Sequence, residues 1–160
     1  MGDPKLLTEE GAYAATFVFS LDWEGGGFAQ MGEFLEVKGL QIDLAWEDVA
    51  EGGQNGYVHK LPAQMTWPDI TFKRPIGTNQ ALFDWILSCA GEGFETKSRK
   101  IQPATGAIDV RNREGNKLSS YEFYGAVPLR WIGPGFDAQS DEALVEELTI
   151  SHHGFRIKKA

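Results

Sequence analysis

The sequence predicts a mainly β protein with one α-helix: a small antiparallel β-barrel or sandwich of about six to seven strands and a flanking helix, forming a single domain over residues 1–160. Three observations predict this. Several short runs alternate apolar and polar residues, the period of a half-buried strand. Only one run, around Leu82 to Ala90, repeats at helical spacing. The alternation also slips by one residue at Gly39 and again at Gly154, so a strand must bend or bulge at each to keep its apolar side on the core.

Residues 1–15 are mixed and polar and are expected to form a flexible N-terminal arm. Phe17, Phe19, Leu21 and Trp23 alternate with Val18, Ser20, Asp22 and Glu24, giving a first strand that ends at Gly25-Gly26-Gly27. That glycine run reads as a turn, because no helical pattern or Lys-Ser/Thr pair follows it to cradle phosphate. Residues 25–33 read as a link. The next strand is expected over residues 34–49, bent at Gly39: Leu35 and Val37 share a face before it, and Leu40, Ile42, Leu44 and Trp46 share one after it. Residues Glu51, Gly52, Gly53, Gln54, Asn55, Gly56 and Tyr57 read as a long loop, mobile in isolation.

Ile70 and Phe72 mark a further strand stopped by Pro75. Thr78 suits a helix N-cap, since its hydroxyl can accept from a free first-turn amide. Leu82, Phe83, Ile86, Cys89 and Ala90 form the helix's apolar stripe, expected to pack on the sheet, with Gly91 and Gly93 just past its end. Ile108 and Val110 lead into a hairpin turn at residues 112–116. The returning strand sets Tyr121, Phe123, Val127, Leu129 and Trp131 on one side; Pro128 has no N–H to donate, so it belongs at an edge or a bulge. In the last strand region Leu148, Ile150 and His152 share a face, and Phe155 and Ile157 follow the bend at Gly154.

Composition narrows the function classes. Net charge is -8, from 23 acidic against 15 basic residues, opposite in sign to a nucleic-acid-binding domain. The basic clusters Lys97-Ser98-Arg99-Lys100 and Arg156-Ile157-Lys158-Lys159 are short. Cys89 is the only cysteine, so no intrachain disulfide forms, which fits a reducing compartment. The N-terminus carries no signal-peptide pattern and no run is long enough to span a bilayer. His152 and His153 are adjacent and point to opposite faces of a strand, so no metal site is expected from them and His59. The pairs Glu47-Asp48 and Glu146-Glu147 diverge in the same way, making poor acid–base dyads, and no nucleophile elbow is present. Neither catalytic residues nor a cofactor are expected. Of the five tryptophans, Trp46 and Trp131 fit core packing, while Trp67 at a loop–strand junction is the one to examine for exposure.

A series of phrases runs in order along the chain: Phe34-Leu35-Glu36-Val37-Lys38-Gly39-Leu40, Glu51-Gly52-Gly53, Lys60-Leu61-Pro62, Asp69-Ile70-Thr71-Phe72-Lys73-Arg74, Ala126-Val127-Pro128-Leu129-Arg130-Trp131-Ile132-Gly133-Pro134 and Ser151-His152-His153-Gly154-Phe155. Together they resemble the tail tube (inner tube) proteins of contractile phages and of phage-tail-like extracellular contractile injection systems, over residues 28–155. The resemblance implies a structural protein and not an enzyme: homohexameric rings stacked into a hollow tube inside a contractile sheath, with sheath, baseplate and spike proteins as partners and a protein effector or DNA as cargo. It implies assembly in the cytoplasm, no membrane insertion by the tube itself, and residence in a virion or an extracellular or cell-associated particle. It places Glu51 to Lys60 at a neighbouring ring, disordered in the free subunit and ordered on stacking. Candidate lumen-facing residues are Gln41, Asp43 and Glu47 on the bent strand and Glu147, Thr149 and Ser151 on the last, an acidic wall. The chain departs from the family pattern in its longer stretch from Gly25 to Glu33 and in Ala63 after Lys60-Leu61-Pro62, leaving open a main tube subunit or a specialised ring. The rival reading is a monomeric β-barrel module for a carbohydrate or other ligand.

Overall fold

The computed structural model describes residues 16–23, 27–49, 52–53, 56–77, 80–90, 101, 103–112, 114–136 and 144–159. The expected arm at 1–15, the Thr78 cap, Gly91, Gly93 and the cluster 97–100 lie outside them. The described elements are β1 (Thr16–Trp23), β2 (Gly27–Phe34), β3 (Glu36–Lys38), β4 (Asp43–Val49), β5 (His59–Thr66), β6 (Ile70–Pro75), α1 (Ala81–Cys89), β7 (Ala104–Arg111), β8 (Lys117–Ile132), β9 (Val145–Ser151) and β10 (Phe155–Lys159).

The mainly β class with one helix stands, but the strand count rises above seven. The two bent strands each divide at their glycine, and two strands carry no clean alternation. β2 pairs with β1 through a bulge that leaves Met31 out of register, so Met31 and Phe34, three apart, both reach the core. What was read as a link is therefore a strand. β5 contains Pro62, which argues against a central strand; it is tolerated because, among the described residues, β5 has only β4 beside it.

Hydrogen bonds order the main sheet β2-β1-β7-β8-β9-β6-β3, with β10 also on β8 and every pairing antiparallel. β8 is sixteen residues long and serves both halves of the fold. Its first half lies between β7 and β10, with Tyr121 opposite both Ile108 and Ile157; its second half runs beside β9, from Val127 opposite Ser151 to Ile132 opposite Glu147. Pro128 sits at the register shift in that second half, as its missing donor requires. The ends of the path, β2 and β3, are separated in the chain by Leu35 alone, whose N–H donates to the Lys73 carbonyl at 2.8 Å. The path thus returns on itself as a barrel.

Its interior holds Leu21, Met31, Phe34, Ile70, Phe72, Ile108, Phe123, Leu148 and Ile150, with Leu82 and Trp85 of α1 closing over them. Trp85 takes the inward place expected for Phe83, which is half-exposed and packs edge-on against Trp131 with ring centroids 4.9 Å apart. Trp46 is another correction: it is 51% exposed, not a core residue. Trp67 is half-buried against Phe155.

Between β6 and β9, Arg74 stands directly opposite Glu146, and both are buried. Arg74 donates to the Glu146 carboxylate and to the Met31 carbonyl of β2, and Trp131 Nε1 of β8 donates to the same carboxylate at 3.2 Å. Four strands therefore meet at one charged pair whose partners are supplied from all sides, the condition under which such a pair can be buried.

Both bends fall where the alternation slips. At Gly39, φ is +92° and a Cβ would lie 2.0 Å from the Asp69 carbonyl oxygen. Only glycine combines that backbone with that approach. Beyond it the chain leaves the barrel as the separate β4–β5 hairpin.

Candidate functional site

Every residue of β4 and β5 is exposed, so the hairpin projects instead of folding back on the barrel. Cross-strand register sorts its faces. Leu44 opposes Met65 and Trp46 opposes Pro62, an apolar face; Asp43 and Glu47 lie on the other face, opposite Thr66 and Leu61. A hairpin that buries neither face is marginal alone, and Leu44, Trp46 and Met65 are each more than half exposed. The inter-ring segment that the resemblance implies, Glu51 to Lys60, overlaps the start of β5. His59 and Lys60 belong to β5, opposite Val49 and Asp48, with Lys60 Nζ 3.3 Å from Asp48 Oδ1. Their polar character hid a paired strand. Gly52 and Gly53 form a turn at the tip; Tyr57 and Val58 are exposed, and the Tyr57 ring stands against His59 at 5.0 Å. Glu51, Gln54 and Asn55 lie outside the described residues.

Glu147, Thr149 and Ser151 alternate along β9 with buried Glu146, Leu148 and Ile150, so they share the outer face of the sheet β3–β6–β9–β8. Thr71 and Lys73 of β6 and Glu36 and Lys38 of β3 continue that face: the Thr71 and Thr149 hydroxyls are 3.3 Å apart, and Lys73 Nζ lies 3.5 Å from Glu147 and 3.6 Å from Glu36. The hydrogen bond from Lys38 and the nearby Lys38 and Lys73 charges hold the Glu36 carboxyl below its ordinary value. Arg130 adds a cation opposite Thr149. This face is therefore charge-compensated: the lysines were invisible to a reading of single strands, because β3 and β6 meet β9 only in space. Gln41, Asp43 and Glu47 are not on this face. Gln41 and Asp43 sit at the hairpin base, Gln41 Nε2 donating to Asp43 Oδ1 at 2.6 Å, while Glu47 lies farther out on β4, opposite Leu61.

The same four strands have two open borders. Among the described residues, β3 has only β6 beside it, and residues 127–132 of β8 have β9 on one side and no strand on the other. At the far end of this sheet, where β6 and β8 finish and β9 begins, Ile76, Phe83, Trp131, Pro134 and Phe136 line an open cleft of about 680 Å³ over the Arg74–Glu146 pair.

His152 is buried and its Nδ1 accepts from the Gly154 N–H at 3.1 Å while Nε2 meets the Pro68 carbonyl at 3.0 Å; it serves the bend between β9 and β10. Among the described residues no group of three His, Cys, Asp or Glu is placed to hold a metal, and no helix is long and apolar enough to cross a membrane.

No curated protein matches. A chain of the anti-feeding prophage baseplate is similar over 99% of this chain and 98% of its own, at 17% identity and a TM-score of 0.72. A chain of the sheath–tube complex of the extracellular contractile injection system PVC, in its extended state, is similar over 89% and 88%, at 23% identity and 0.68. Hcp1 from Flavobacterium johnsoniae is similar over 89% and 96%, at 20% identity and 0.53. These likenesses establish a shared fold. The model of the T4-like virus tail tube protein gp19 matches residues 15–156, which displaces the reading of a monomeric ligand-binding module. The chain belongs to the T4-like virus tail tube protein gp19 family.

Proposed function

We propose that this chain closes into rings that stack as a hollow tube, with the outer face of β3–β6–β9–β8 turned to the bore. One observation carries the reading: the sheet is four-stranded and antiparallel throughout, so its two open borders, β3 and the second half of β8, run in opposite directions. Setting β8 of one copy beside β3 of the next extends the same antiparallel pattern without a break. Each copy meets its neighbour through two different borders, the head-to-tail arrangement that generates a closed ring. Closure also removes the edges that would otherwise invite indiscriminate pairing. Six copies per ring accords with the six-fold symmetrised baseplate relative.

The proposed bore carries Glu147, Thr149 and Ser151 with Lys73, Lys38 and Glu36. Its alternating charges and hydroxyls give a passing polyanion or polycation little net grip. Gln41 and Asp43 add polar and acidic character where the hairpin leaves the sheet, and Glu47 carries it farther along β4. The tube is a passive conduit and piston, driven by a contracting sheath and carrying a protein effector or DNA. Sheath, baseplate and spike proteins are its partners, and assembly takes place in the cytoplasm.

Electron microscopy and light scattering across a concentration series test this. Rings are expected first, then tubes; a compact monomer at every concentration would refute the reading. Deleting residues 52–56 should leave the melting temperature of the subunit within a few degrees of wild type, since the hairpin contributes little to the barrel, while abolishing tubes. Loss of the fold on that deletion would count against it.

A further inference from the structure

We infer that neighbouring copies in a ring join two residues out of step, so that Arg130 on the open border of β8 pairs with Glu36 on the β3 border of the next copy. The inference rests on the tube reading and goes beyond it by fixing which residues meet where the borders join. Register within one subunit defines the levels. Arg130 lies opposite Thr149, Thr149 opposite Thr71, and Thr71 opposite Lys38. Two residues along, Ile132, Glu147, Lys73 and Glu36 form the next row on the same face. Cross-strand partners share a face, so Arg130, Lys38 and Glu36 all stand on the side proposed for the bore.

One row therefore ends in a cation at both borders. Copies joined level would set Arg130 against Lys38 of the next copy, and like charges directly opposite are destabilising. A shift of one residue would turn the neighbour's side chains to the wrong face. A shift of two keeps the faces, and only one sense of it stays within β3. That sense sets Arg130 opposite Glu36 of the next copy; the other carries Arg130 past Gly39, where β3 has ended. A closed barrel requires a stagger, because its strands tilt to the axis, and two residues supply about 7 Å of it at strand rise. The side chains agree with this register. Arg130 is exposed and, among the described residues, has no carboxylate partner. Glu36 is shared by Lys38 at 2.6 Å and Lys73 at 3.6 Å, and a carboxylate has acceptor sites to spare for a guanidinium. The same shift sets Trp131 opposite Leu35 of the next copy, giving an aromatic neighbour to a leucine that is 61% exposed in the single chain.

Charge swapping and disulfide trapping test this. Arg130→Glu and Glu36→Lys should each raise the concentration needed for rings by roughly tenfold or more, since each puts like charges across every border. Mixed in equal amounts they should form rings near the wild-type concentration, because a ring of six can alternate the two variants and join opposite charges throughout. Substitutions that merely damaged the subunit would not rescue one another. Trapping reads the register itself, in the full chain carrying Cys89→Ser so that no native thiol remains. Arg130→Cys with Glu36→Cys should give, on oxidation of rings, a covalent ladder of multimers on denaturing gels. Arg130→Cys with Lys38→Cys should give none, because residues offset by two on facing strands stand about 7–8 Å apart, too far for a disulfide. Rings linked through positions 130 and 38 but not through 130 and 36, or charge variants that melt like wild type yet fail to rescue each other, overturn the register while leaving the tube reading standing. A wild-type chain that never forms rings overturns both.

Discussion

Replacing Glu146 with alanine is expected to destabilise the subunit by about 3–5 kcal/mol, because it leaves the buried Arg74 guanidinium without its counter-charge. The effect should exceed that of an ordinary surface ion pair such as Lys158–Glu122, whose exposed partners contribute about 0–1 kcal/mol. It should also exceed the loss of one neutral hydrogen bond, about 1 kcal/mol, since Trp131 Nε1 loses its acceptor as well. Urea unfolding measures it, and a midpoint shift worth less than about 1 kcal/mol would show that Arg74 is not desolvated. The double replacement Arg74→Met with Glu146→Leu separates charge from packing. It removes both ions together and should be less damaging than Glu146→Ala alone, because apolar side chains of similar size replace a pair that costs much to desolvate.

Gly39→Ala should cost more than about 3 kcal/mol, since a non-glycine residue at positive φ is already strained by about 1–2 kcal/mol and the new methyl meets rigid backbone. The obstacle is the Asp69 carbonyl oxygen, 2.0 Å from the added Cβ, with the Asp69 carbonyl carbon and Ile70 Cα close behind. No side chain can rotate out of the way, so either the β3–β6 pairing opens or the hairpin swings to a new direction. The first outcome appears as a lowered melting temperature, the second as a folded subunit that forms no tubes. Gly53→Ala, at a tip glycine with nothing within 4 Å of an added Cβ, is the control, with only the positive-φ strain to bear. If Gly39→Ala melts like wild type and still stacks, Gly39 is not the hinge.

Much of this was legible in the chain. The bends at Gly39 and Gly154, the turn at residues 112–116, the bulge at Pro128 and the inward face of β9 follow from period and glycine placement alone. What escaped has physical causes. β2 was hidden because its bulge puts Met31 and Phe34 three apart instead of two. β5 was hidden by a proline and by having no buried face to impose a pattern. Trp46 looked like core because alternation marks an apolar face without saying which molecule covers it. The charge balance around Glu147 was unreadable because Lys73 and Lys38 are distant in sequence and adjacent only through the β3–β6–β9 register.

β8 is the one strand that both halves share, and its consequence is mechanical. The halves are joined by unbroken covalent backbone, so sliding one past the other would shear the pairings on β7, β9 and β10 together. Bonds loaded side by side resist far more than the same bonds opened one after another. The opposite seam is thinner: Leu35 joins β2 to β3, with one backbone bond to Lys73 and the Arg74 contact to Met31 beside it. Under compression the subunit should stay stiff along β8 and give first at Leu35.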